Sequence, residues 1–203
     1  MKKIIGILAV QYPFAKIQLD YETPFELLVS TILSAQCTDD RVNIVAGKLF
    51  KKYNRPEQFV ELPDDELEKL IFSTGYYKAK AKNIKAASKV LLVKFRGELP
   101  QTMDELLTIP GVGRKTANVL LGHLFDVPGI VVDTHVIRIS NRLGFADTTN
   151  AEKIEYALME LIPKTEWVVF THYLINHGRK TCTARKPKCG DCRIRELCPS
   201  KEV

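Results

Sequence analysis

A turn with one proline and two glycines joins two helical patterns in the run Leu107-Thr108-Ile109-Pro110-Gly111-Val112-Gly113-Arg114-Lys115-Thr116-Ala117. Glycine tolerates backbone angles that are closed to other residues, and we expect Gly111 and Gly113 to use this freedom. The turn leaves backbone N–H groups bare at the start of the second helix, beside Arg114. Such a cradle can hold a DNA phosphate without regard to sequence. The run therefore predicts a phosphate site, with a plain helix–helix turn as the alternative.

Helical periodicity extends outward from this run over almost the whole chain, and strand patterns are scarce. Thr23 precedes Pro24 as a plausible cap of one helix. Further helical patterns cover residues 42–53, 64–73, 78–94, 103–108, 114–125, 134–142, 151–161 and 167–178. Short loops with Pro or Gly separate them. The prediction is an all-α fold, and 203 residues, 45% of them hydrophobic, suffice for one large or two small domains.

Four of the five cysteines stand close together near the C-terminal end, at Cys182, Cys189, Cys192 and Cys198. This crowding is typical of a metal site, and two disulfides are the alternative. Disulfides usually accompany export, whereas the opening residues lack a convincing cleavage site, so we expect a cytoplasmic protein. Four cysteines suit zinc or an iron–sulfur cluster. The single Cys-x2-Cys knuckle favours iron–sulfur.

The formal net charge of +6 is concentrated in the segment that contains these cysteines. Residues 178–201 hold eight basic and two acidic residues, so they account for the whole excess. A second basic stripe, at helical spacing, consists of Lys78, Lys82, Lys85 and Lys89. A stripe of this kind is either a solvated helix face or a nucleic-acid contact. Two separate basic patches favour a partner rich in phosphates.

Lys115 and Asp133 are the candidate reactive residues. Lys115 lies in the first turn of a predicted helix, where the helix dipole and Arg114 both disfavour its ammonium form. A neutral amine is a nucleophile, although a further phosphate contact is the alternative role. Asp133 stands between an apolar run and a helical pattern, where Asp is a favoured N-cap. Capping is compatible with catalysis, because it also orients the carboxylate.

Several segments together resemble endonuclease III, a DNA glycosylase family of the helix-hairpin-helix superfamily. They are Ser34-Ala35-Gln36 with Thr38-Asp39, Gly111 to Val119, Val132 to Val136, and the Cys182 to Cys198 array. The order and spacing match over nearly the whole chain. The resemblance implies a monomer with two helical lobes and DNA bound between them. One lobe would be a helical barrel over residues 22–129, and residues 1–21 and 130–203 would form the second lobe with a [4Fe–4S] cluster on the four cysteines.

The resemblance also implies roles for individual residues. Lys115 would attack C1′ of a flipped, damaged pyrimidine nucleotide and form a Schiff base, and β-elimination would then cut the strand, assisted by Asp133. Gln36 would fill the gap left by the flipped nucleotide. The remaining contacts to double-stranded DNA would come from the hairpin and from the loop after the first cysteine, through Gly111, Gly113, Arg114, Arg185, Lys186 and Lys188.

One position departs from the family pattern. The family commonly has Gly-Leu-Tyr before the lysine-rich helix, whereas this chain has Gly75-Tyr76-Tyr77, so Tyr76 stands at the wedge position. An aromatic ring can still wedge or stack between bases. A mismatch-specific glycosylase of the same superfamily and a non-catalytic DNA-binding module remain as alternatives. A lysine at position 115 favours the lyase.

Overall fold

The computed structural model describes residues 1–201, in which the regular structure is helical and no strand occurs. The expected all-α class is confirmed. The α-helices are α1 (Lys2–Gln11), α2 (Pro24–Leu33), α3 (Asp39–Leu49), α4 (Pro56–Glu61), α5 (Asp64–Ile71), α6 (Tyr77–Phe95), α7 (Met103–Leu106), α8 (Arg114–Leu124), α9 (Thr134–Arg142), α10 (Ala151–Leu161) and α11 (Trp167–Lys180). Short 3₁₀ turns lie between some of them. Helices α1 and α4 are additional to those that the periodicity predicted.

The start of α2 follows from its sequence. The Thr23 side chain accepts a hydrogen bond from the backbone N–H of Glu26, and the Glu26 side chain accepts one in return from the backbone of Thr23. Pro24 occupies the first helical position, where its missing N–H is harmless. Every residue from Phe25 to Leu33 is buried. Helix α2 is therefore a central helix, against which α3, α6 and α8 pack.

The chain divides into two compact units. The hairpin unit is Gln18–Val127, and the cysteine unit is Met1–Ile17 together with the chain from Pro128 onward. The core of the hairpin unit contains fully buried Leu27, Leu28, Phe59, Ile84 and Leu91. The core of the cysteine unit contains fully buried Leu8, Val136, Ile154, Phe170 and Leu174. None of the helices within residues 1–201 is long and apolar enough to cross a membrane.

Candidate functional site

The turn between α7 and α8 uses its two glycines differently. Gly111 has φ +83°, and a Cβ added there would lie 3.1 Å from Cβ of Asn83. Only glycine fits such a position without strain. Gly113 has φ −100°, which any residue adopts, so the expectation of a special backbone angle there was wrong. No heavy atom lies within 4 Å of a Cβ added at Gly113. The absence of a side chain at Gly113 therefore leaves open space before α8.

Helix α8 begins without a side-chain cap and without an acidic residue in its first turn. Its buried face, formed by Ala117, Leu120 and Leu121, anchors it in the hairpin unit. Lys115 is exposed and Arg114 is half-buried in the first turn. Helix starts carry unsatisfied N–H groups and partial positive charge. The start of α8 therefore offers an anion site with Lys115 beside it.

Gln36 and Tyr76 lie on separate loops of the hairpin unit and share an unusual backbone conformation. Their φ angles are +53° and +49°, in the left-handed region. This region is uncommon for residues other than glycine and is concentrated at functional sites. Both side chains are exposed, and 67% of Tyr76 is accessible. They line one open cavity of about 200 Å³ together with Gly111. The structure thus brings three predicted DNA-contact positions to one place.

Asp133 is the N-cap of α9, as the sequence predicted. Its Oδ1 accepts hydrogen bonds from the backbone N–H groups of His135 at 2.8 Å and Val136 at 2.9 Å. The carboxylate is half-buried. Beside it, Nη2 of Arg138 lies 3.0 Å from Nδ1 of His135, and burial lowers the pKa of His135. A carboxylate held by two backbone amides keeps a fixed orientation.

The four clustered cysteines line a single cavity. All four are free thiols, which excludes the disulfide alternative in this structure. Burial raises the pKa of Cys192 and Cys198, and the neighbouring cysteines raise it further, so a bound cation would favour the thiolate forms. Within residues 1–201, no three His, Cys, Asp or Glu side chains converge as one metal ion requires. Four cysteine sulfurs that line one cavity are a ligand set of the kind that holds an iron–sulfur cluster.

Two arginines of α9, one helical turn apart, hold the start of the cysteine segment. Arg142 donates from Nη1 to Sγ of Cys182 at 3.2 Å and to the carbonyl of Thr183 at 2.8 Å. Arg138 donates from Nε to the carbonyl of Cys182 at 3.1 Å and from Nη2 to that of Gly178 at 3.0 Å. Neither arginine was predicted from the sequence. The available signal was the four-residue spacing between Arg138 and Arg142, which places both on one face of the helix that begins after Asp133.

Buried polar groups connect Tyr12, the residue after α1, to one of the cysteines through His177. The hydroxyl of Tyr12 lies 3.1 Å from Nδ1 of His177 and 3.2 Å from Oγ1 of Thr181. On the other side of the ring, Nε2 of His177 is 3.7 Å from Sγ of Cys192. Burial lowers the pKa of His177 to about 4. Neutral imidazole therefore faces the cysteine, so it can orient that residue without adding charge.

The loop after the first cysteine carries the basic residues that the sequence singled out. Arg185, Lys186 and Lys188 are exposed. The backbone N–H of Lys188 donates to the carbonyl of Thr181 at 2.9 Å, and the hydroxyl of Thr183 donates to the carbonyl of Lys186 at 2.6 Å. The loop is thus closed by internal bonds while its cations remain available to solvent.

Comparison with known proteins gives the class of the molecule. The profile of the HhH-GPD superfamily base excision DNA repair proteins matches residues 29–164, and that of the iron-sulfur binding domain of endonuclease III matches residues 182–198. The endonuclease III of Synechocystis is 51% identical over 99% of this chain and 92% of its own length. That of Bacillus subtilis is 47% identical over 92% of this chain and 86% of its own length.

A solved structure of a trapped endonuclease III–DNA covalent intermediate superposes with a TM-score of 0.93 at 44% identity, over 98% of this chain and 94% of that one. A thermostable thymine-DNA glycosylase shares the fold, with a TM-score of 0.90 at 24% identity over 99% of this chain and 96% of that one. The chain belongs to the endonuclease III family. The expected class, a bifunctional base-excision glycosylase and AP lyase that binds DNA and carries a [4Fe–4S] cluster, is confirmed.

Proposed function

We propose that the enzyme removes oxidised pyrimidines from double-stranded DNA and cuts at abasic sites, with Lys115 as the nucleophile and Asp133 as the carboxylate that assists it. The observation that carries this proposal is the exposed Lys115 in the first turn of α8, beside uncapped helix amides. The amides, with Gly111, Gly113 and Arg114, would hold one phosphate. Lys115 would then stand close to the sugar of the adjoining nucleotide.

The chemistry requires Lys115 to act as a neutral amine. Its nitrogen bonds to C1′ of the flipped nucleotide, and the bond from C1′ to the base breaks, so that the base departs with the electron pair and takes up a proton. The nitrogen loses one proton, the C1′–O4′ bond breaks and O4′ takes up a proton from solvent, which leaves a protonated Schiff base (C1′=NH⁺). This group acidifies the C2′ proton, whose removal expels the 3′ phosphate oxygen and cuts the strand.

The carboxylate of Asp133 is suited to the positive charge that builds on the sugar during base departure. Its Oδ1 is held by the start of α9, which leaves Oδ2 for the reacting nucleotide. A carboxylate whose direction is already fixed need not reorganise in the transition state. Asp133 would stabilise the charge and carry protons between steps.

The DNA would be held at three further places. Gln36 and Tyr76 would enter the duplex where the nucleotide has left, with the Tyr76 ring stacked on a neighbouring base. The exposed cations Arg185, Lys186 and Lys188 would contact the backbone. A [4Fe–4S] cluster on Cys182, Cys189, Cys192 and Cys198, when bound, orders the loop that carries these cations.

Functional lobes over residues 22–129 and over residues 1–21 with 130–203 remain our proposal for how these parts are distributed. We further propose that the enzyme acts as a monomer in the cytoplasm, where its DNA substrate lies. Size-exclusion chromatography with light scattering, with and without a short duplex, tests the monomer. A stable dimer in both conditions would contradict it.

Borohydride trapping tests the central chemistry. Wild type, Lys115→Ala and the control Lys48→Ala, an exposed lysine of α3, are incubated with duplex DNA that carries thymine glycol or an abasic site. A covalent adduct on a denaturing gel is expected for wild type and Lys48→Ala and is expected to be lost in Lys115→Ala. If folded, cluster-loaded wild type gives no adduct on either substrate, the proposed lyase step is wrong.

A further inference from the structure

Lys80 is the buried lysine of α6, with only 4% of its surface accessible. Its Nζ donates to the backbone carbonyl of Leu33 and to that of Thr74, both at 2.8 Å. Burial lowers the pKa of Lys80. A buried ammonium is costly to desolvate, and an apolar side chain of the same length would fill the space. The presence of a lysine here therefore indicates that its bonds to these two carbonyls have a role beyond filling space.

Each carbonyl lies at the root of a loop that carries a proposed DNA-inserting residue. Leu33 is the last residue of α2, and the chain turns from there to Gln36. Thr74 precedes Gly75, and the next residue is Tyr76. The carbonyl end of a helix attracts cations, so α2 itself favours the ammonium at this place. The Lys80 side chain thus binds the backbone carbonyl at which each of the two loops begins.

We propose that Lys80 is a positioning residue, which holds the Gln36 loop and the Tyr76 loop at a fixed spacing so that both side chains enter the duplex together. This inference rests on the proposed function. Flipping a nucleotide costs free energy of stacking and pairing. The inserted side chains recover that energy only when both stand at the correct separation, and a hydrogen-bonded ammonium fixes it.

The conformation of the two loops supports this role. Gln36 and Tyr76 are both held in the left-handed region, which persists only where the surroundings determine it strongly. Lys80 lines the same open cavity as these two side chains. A merely structural lysine would not need to contact both loops at their junction with this cavity.

The first test compares Lys80→Met with Lys94→Met, an exposed lysine on the same helix. Single-turnover removal of thymine glycol from a duplex is expected to slow on the order of tenfold or more in Lys80→Met, because reacting groups out of register lose rate steeply. Borohydride trapping on single-stranded abasic DNA, which needs no insertion into a duplex, should be unchanged. Lys94→Met should match wild type in both. An equal loss of activity on the duplex and on single-stranded DNA would show that Lys80 only stabilises the fold, and would overturn the proposal.

A double-mutant cycle supplies the second test. In a Gln36→Ala/Tyr76→Ala background, adding Lys80→Met should change the duplex rate by less than about twofold, because coupled residues are not additive. A full, multiplicative loss would show that Lys80 does not act through these side chains. If Lys80→Met fails to fold, Lys80→Gln, whose shorter side chain keeps an NH₂ donor group without the charge, allows both comparisons. Absence of any adduct from wild type would instead mark failure of the lyase proposal itself.

Discussion

The turn between α7 and α8 takes its shape from the backbone, whereas the segment of residues 182–198 takes its shape from side chains. In the turn, Gly111 supplies the one unusual angle and α8 begins without any side-chain cap. In the cysteine segment, two 3₁₀ turns are the regular elements, and arginines of α9 hold its start. A backbone-defined site is set locally, while a side-chain-defined site depends on distant residues and on its cluster.

Removal of one cysteine should give the largest loss of stability. If α8 lost stability as well, the turn and the cysteine segment would not be independent. We expect Cys198→Ala to lose the visible absorption of the cluster and several kcal/mol of stability in the cysteine unit, because cluster binding stabilises its folded segment. Hydrogen exchange should show residues 182–198 losing protection while α8 keeps its own. Cys37→Ala, which changes the cysteine outside the array, should keep the absorption. Equal loss of protection in α8 would show that the two regions are not independent.

Gly178→Ala should give the next largest effect, because α9 and α11 pack closely at this point. A Cβ there would lie 2.8 Å from Nδ1 of His135 and 2.9 Å from Nη2 of Arg138. We expect a loss of about 1–3 kcal/mol of unfolding free energy, as for other overpacked sites. Gly47→Ala in α3 is the matched control, because nothing lies within 4 Å of its added Cβ. It should stabilise the protein by about 0.5–1 kcal/mol.

Denaturant unfolding of the cluster-loaded variants measures both free energies. If Gly178→Ala were as stable as wild type, α9 and α11 would have room to separate. The bonds from Arg138 to the start of the cysteine segment would then not depend on the close approach of these helices.

Local signals predicted the parts of the fold that local chemistry sets. The bounds of α9 and α10 agree with the sequence prediction, because Asp133 and Asn150 cap them through their side chains. The capping of α2 by Thr23 was likewise readable. A short polar residue at a helix start acts on amides two or three positions away, so its effect does not depend on the rest of the chain.

Contacts between residues far apart in sequence could not be predicted from such local signals. Lys85 belonged to a basic stripe in the sequence, but its Nζ donates to the carbonyl of Leu62 at 2.8 Å and pairs with Asp64. Lys80 of the same helix is buried, although lysines usually lie at the surface. Three of their four partners lie far away in sequence, at 21, 23 and 47 positions, and only Thr74 is near, at 6 positions. Periodicity assigns a residue to a face of a helix and does not identify what packs against that face.

The two single variants Gly111→Ala and Gly113→Ala should give the smallest changes in stability. Comparing them separates the effect of the turn's backbone angle from the effect of the space before α8. Gly111→Ala should cost about 1–2 kcal/mol of unfolding free energy, because a Cβ is strained at a positive φ. Gly113→Ala should change stability by less than about 0.5 kcal/mol, since its φ is ordinary and its Cβ meets nothing. Both should weaken DNA binding, Gly111→Ala by distorting the turn and Gly113→Ala by placing a methyl group where the phosphate approaches.

Fluorescence anisotropy on a duplex with a stable abasic analogue, at one fixed salt concentration, measures the binding. Denaturant unfolding of the same samples separates stability from affinity. The informative variant is Gly113→Ala, because its fold should be intact. If it binds DNA as wild type does, the first amides of α8 do not contact a phosphate. The anion site would then have to be assigned to the side chains of Arg114 and Lys115, and the contrast between a backbone-built and a side-chain-built region would disappear.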